Sequence, residues 1–63
     1  MEQFSQEEKN IITGALNFYI AEVEKMIEIA IVGNDTEIEK ALRVVLGRVY
    51  EVKQKLRNLW NQS

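Results

Sequence analysis

Residues 26–42 read MIEIAIVGNDTEIEKAL, and this stretch decides the fold. Gly33, Asn34 and Asp35 separate two apolar ladders that run away from them in opposite directions. Backward along the chain, Ala30, Met26, Val23, Tyr19, Leu16 and Ile12 recur at alternating steps of four and three. Forward, the same rhythm gives Ile38, Leu42, Val45, Val49, Val52, Leu56 and Leu59. Such spacing lines one stripe of an α-helix. The ladders also mirror each other about residue 34: Ala30 pairs with Ile38, Met26 with Leu42, Val23 with Val45, Tyr19 with Val49, Leu16 with Val52, and Ile12 with Leu56. Mirrored stripes around one short turn predict an all-α, antiparallel two-helix hairpin, with residues 1–63 forming a single domain.

The alternation of Ile27, Ile29 and Ile31 would also suit a strand. A lone strand has no partner in so short a chain, and Met26 and Ala30 carry the helical ladder through the same segment, so a helix is expected. Ser5 with Glu8 three residues on is a capping box. It starts helix 1, which should run from about 6 to 32 and extend roughly 40 Å. Gly33 suits the left-handed residue that ends a helix. After a turn at 33–35, Asp35 or Thr36 caps helix 2, expected from about 36 to 60.

With Leu16 taken as position a of a heptad, positions a and d are apolar in both helices. On the e flank Ile20 faces Leu46, Ile27 faces Glu39 and Thr13 faces Lys53. On the g flank Glu22 faces Arg48, a prospective ion pair. Phe4 and Trp60 should meet at the open end. Ile11, Phe18 and Ile29 lie off the ladder on helix 1, as do Val44, Leu46, Tyr50 and Trp60 on helix 2. A monomeric hairpin would expose them, whereas burying a large apolar side chain contributes about 1.5–3 kcal/mol. The expectation is a homodimer closing into a four-helix bundle, with self-association through Ile11, Phe18, Ile20, Ile27 and Leu46. Gly14 and Gly47, both inside helices, mark either close approach of another backbone or glycines tolerated on the surface.

The 63 residues include no Cys, His or Pro. That excludes a disulfide framework, a thiol nucleophile, zinc-finger spacing and imidazole chemistry. Glu24 and Glu28 share a helical face, but no Glu-x-x-His accompanies them as bundle metal sites require. The glycines are isolated, so no phosphate loop is present, and neither Ser5 nor Ser63 has a base nearby in sequence. No catalytic, cofactor-binding or metal-binding residues are expected, no cofactor is implied, and the chain reads as a non-enzyme. Met1-Glu2-Gln3 is not the basic start of a signal peptide, and no apolar run approaches the ~20 residues of a membrane span. A cytoplasmic protein without membrane association is the expectation.

Charge is uneven. Residues 1–39 hold nine acids and two bases, whereas residues 40–63 hold six bases and one acid. In a hairpin, Glu7 and Glu8 would lie beside Lys53 to Arg57 and neutralise them. Arg43, Tyr50 and Arg57 recur every seven residues along helix 2. Two guanidiniums around an aromatic grip phosphate and stack a base, and the same trio makes a protein hot spot or a solvated rim. Together with Trp60 they are the candidate partner-binding residues.

The hairpin design at this length resembles ROP, a dimeric two-helix hairpin family that binds RNA through its first helices; here the first helix is acidic. The opening Phe4-Ser5-Gln6-Glu7-Glu8, followed by an apolar helix, a short turn and a basic second helix, resembles small Bacillus and phage regulatory proteins, the AbbA-like antirepressors among them. That resemblance implies a protein that binds and disables another protein. Phage-borne inhibitors of host defence are similarly short, acidic and non-catalytic. The leading expectation is therefore a non-catalytic dimer that inhibits or regulates an unidentified protein target. ROP-like RNA binding and a structural or assembly role in a larger complex are the alternatives.

Overall fold

Ser5 fixes the start of the first helix. Its hydroxyl accepts from the Glu8 amide at 3.1 Å, and the Glu8 carboxylate accepts from the Ser5 amide at 2.8 Å. This reciprocal box satisfies two amides that have no partner within the helix. The computed structural model describes residues 4–61, and it contains two helices, α1 at Gln6–Val32 and α2 at Thr36–Trp60. The β-branched run 27–32 is helical, because burial of Ile27 and Ala30 on one stripe outweighs local β-propensity.

The turn differs in one detail from the expectation. Gly33 keeps a negative φ of −84°, and Asn34 takes the left-handed conformation with φ 57°. Gly33 still donates to the Ile29 carbonyl at 3.0 Å, so the reversal falls one residue later. The Asn34 amide then donates to Ile31 at 3.0 Å and the Asp35 amide to Ala30 at 2.8 Å. These two bonds form a Schellman closure, and Asn is the residue other than Gly that best tolerates the left-handed region. Asp35 caps α2 by accepting from the Ile38 amide at 3.2 Å.

The helices pack against each other, but not through the a and d rows. On α1 the buried side chains are Ile20, Val23, Ile27 and Ala30, which are a and e positions, while Tyr19 and Met26 of the d row are 49% and 48% exposed. On α2, Leu42, Val49 and Leu56 of the a row are half-buried, as are Glu39, Leu46, Lys53 and Trp60 of the e row. The d residues Ile38, Val45, Val52 and Leu59 are all exposed. Both helices have thus rolled in the same sense, turning e inward and d outward, except that Ile12 at the open end of the α1 d row stays half-buried. The d and e rows flank a on opposite sides, and α1 carries large apolar residues on both. Packing Ile20 and Ile27 inward buries two wholly aliphatic side chains, whereas Tyr19 inward would need a partner for its hydroxyl. The same roll carries the g rows apart, so the Glu22–Arg48 pair does not form. The ion pair among the described residues lies within α2, Arg43 to Glu39 at 2.9 Å.

A Cβ built at Gly14 or Gly47 meets nothing within 4 Å, so neither marks a close approach between the two helices of this chain. The hairpin measures 48 × 17 × 12 Å, a flat rod with two broad faces.

Candidate functional site

The roll of the seam sorts the surface into two unlike faces. In an antiparallel hairpin the like-lettered flanks of the two helices lie on the same side. One broad face therefore carries both d rows: Tyr19 and Met26 from α1, with Ile38, Val45, Val52 and Leu59 from α2, all exposed. The exposed Ile29 extends it. Along its edges, in the g rows, lie Glu8 and Glu22 on the α1 side and Arg48 and Lys55 on the α2 side.

The opposite face carries the e and b rows and is polar. It is stitched by a hydrogen bond from Lys53 Nζ to Asn17 Oδ1 at 2.7 Å, which joins α2 to α1. Towards the open end this face hollows into a groove of about 430 Å³ between Gln6–Thr13 and Lys53–Asn61. Its cations are Lys9, Lys53 and Arg57, and Gln6, Asn10, Thr13 and Asn61 add hydrogen-bonding groups. Trp60 forms its wall. The indole meets Phe4 edge-on, with ring centroids 6.4 Å apart and planes at 82°. Lys9 Nζ stands 5.9 Å from the Trp60 ring centre, a cation–π contact. Among the described residues no carboxylate lines the groove. Neither Glu7 nor Glu8, expected to neutralise the cations here, lines the groove, and the Glu8 carboxylate is engaged in the cap at Ser5.

The residues singled out from sequence fall in different places. Ile20 and Ile27 are buried under this chain's own second helix, and Leu46 is half-buried opposite them, so these three serve the hairpin seam rather than an outer surface. Ile11 and Phe18 are exposed, Phe18 at 69%, on the outer stripe of α1 away from the seam. Arg43 is tied to Glu39, through Nε at 3.0 Å as well as the terminal nitrogen. Tyr50 is exposed. Arg57 and Trp60 come together in the groove, and Phe4 packs on Trp60 as expected. Lys9, Asn10, Thr13 and Lys53 were not singled out as a site. The available signal was the e-flank pairing of Thr13 with Lys53, which lies over the groove floor.

Among the described residues no group of three acidic, His or Cys side chains is placed to hold a metal ion, and no helix is long and apolar enough to cross a membrane. No family model matches the sequence, and comparison with curated proteins and with solved structures finds no chain of significant similarity.

Proposed function

We propose that this chain is a non-catalytic, cytoplasmic homodimer that binds and inhibits or regulates another protein, in the manner of a small phage-type inhibitor of a host defence or regulatory protein. The observation that carries this reading is the apolar d face. The hairpin exposes 5165 Å², against about 4,200 Å² for a compact monomer of its mass. The excess of roughly 1,000 Å² is comparable to the ~800 Å² that each partner contributes to a standard interface. Charge favours a second copy as the first occupant. α1 holds five acids and two bases, and α2 holds six bases and three acids. A twofold axis parallel to the helices lays α1 of one copy over α2 of the other, with acidic edge against basic edge and Glu22 beside the partner's Arg48. The result is a four-helix bundle whose e and b faces point outward to meet the target.

RNA binding is the second reading, raised by the three cations of the groove and not by its shape. Affinity purification from the native host, with and without nuclease, separates the two. The expected result is a protein partner whose recovery is unchanged by nuclease. Tyr50→Ala and Arg57→Glu should reduce that recovery several-fold while circular dichroism stays helical, since both side chains lie outside the seam. Nuclease-sensitive recovery, or tight RNA binding that survives physiological salt, would turn the assignment to RNA.

A further inference from the structure

We infer that the groove at the open end of the hairpin binds a short acidic peptide segment of a protein partner. Its carboxylates would meet Lys9, Lys53 and Arg57, with an adjoining apolar side chain against Trp60. The inference rests on the proposed role in protein binding and adds the chemistry of the partner.

Three features support it. The groove gathers three cations with no lining carboxylate among the described residues, in a chain whose net charge is −2. Two of the cations are pre-positioned: Lys53 by its hydrogen bond to Asn17, and Lys9 by the Trp60 ring. Pre-positioned donors lose less freedom on binding, and the Arg57 guanidinium offers the paired donors that match a carboxylate.

The same geometry disfavours a nucleic acid. A strand needs a continued basic track and open aromatic faces for its bases. Here the groove spans about two turns of each helix. Nearer the turn the next cation on this face, Arg43, is neutralised by Glu39. Trp60 is a single aromatic side chain, with Phe4 edge-on and Lys9 at one face, so the groove offers room for one apolar contact but no run of rings for successive bases. A peptide with two carboxylates fits a short, discrete cluster.

Trp60 is the one tryptophan of the chain, so its fluorescence reports on the groove. The full-length protein is titrated with a terminally blocked octapeptide of alternating Asp and Leu, the matching Asn–Leu peptide, an oligouridine octamer, and inorganic phosphate. The expected result is a saturable change with the Asp–Leu peptide that weakens as salt is raised. Affinity should fall at least about tenfold in Lys53→Gln/Arg57→Gln and by a smaller factor in Arg57→Gln alone. Lys25→Gln/Lys40→Gln, which removes two cations outside the groove, should leave it unchanged. Circular dichroism of each variant confirms the fold. The inference is overturned by no saturable change, by equal binding of the Asn–Leu peptide, by tighter binding of oligouridine, by phosphate binding as well as the peptide, or by equal loss in the Lys25/Lys40 variant. If Lys53→Gln/Arg57→Gln still captures the native protein partner at full yield, the acidic-peptide inference fails while the protein-binding role stands. If nothing but RNA is captured, the protein-binding role itself fails.

Discussion

The two halves of the hairpin use the same two rows of residues for different ends. From Ile20 to the turn, the a and e rows of α1 are aliphatic, and all four buried side chains among the described residues lie there: Ile20, Val23, Ile27 and Ala30. From Leu16 towards the termini, the same rows carry Thr13 and Lys9, faced by Lys53 and Trp60. The closed half excludes water and holds the helices together. The open half cannot exclude water with Lys and Thr in the seam, so it remains a groove. The cohesive seam and the polar groove are thus separated along the rod.

Truncation across the two halves is the sharpest way to break this comparison. Ile27→Ala should cost on the order of 2–5 kcal/mol, as for buried aliphatics generally. Thr13→Ala, at the corresponding e position in the open half, should change stability by about 0.5 kcal/mol or less. Urea denaturation followed by circular dichroism measures both. Equal losses at the two sites would abolish the distinction.

The helix caps give a smaller effect with a different spatial signature. Ser5→Ala and Asp35→Ala each remove a side-chain acceptor and should cost about 1 kcal/mol. Amide exchange should show the Ser5 effect confined to the first turns of α1, because little tertiary packing depends on them. The Asp35 effect should spread across the closed half, since that cap sets how α2 leaves the turn. The smallest effect is a gain: Gly47→Ala should stabilise by about 0.5–1 kcal/mol, because nothing in the hairpin stands within 4 Å of the added methyl. A loss instead would show that another chain approaches there.

Much of this was legible in the sequence. The mirrored ladders determined the hairpin, the position of the turn and both helix spans, because periodicity and caps are local signals. The roll of the seam was not legible. On α1, Tyr19 and Met26 in row d compete with Ile20 and Ile27 in row e for the same inward direction. Periodicity weighs them equally, and only three-dimensional packing with the Tyr hydroxyl in view separates them. The groove was hidden by the same ambiguity, since Lys9, Thr13 and Lys53 share a face only once e turns inward. The left-handed residue was missed for a simpler reason. Gly33 is the better residue for that conformation, but α1 makes one more hydrogen bond before reversing, which hands the position to Asn34.

The central claim is that rolling the seam leaves the d rows as the surface where two copies meet. Sedimentation equilibrium at micromolar concentration tests it directly on the wild type, on Val45→Glu/Val52→Glu and on Ile11→Glu/Phe18→Glu. The account predicts a wild-type dimer. It predicts that the Val45/Val52 variant is monomeric yet helical, because two unpaired charges would be buried between copies but remain in water on the lone hairpin. The Ile11/Phe18 variant, altered on the outer stripe of α1, should remain a dimer. A monomeric wild type, or a dimer that survives the Val45/Val52 change and dissociates with the Ile11/Phe18 change, would contradict the account.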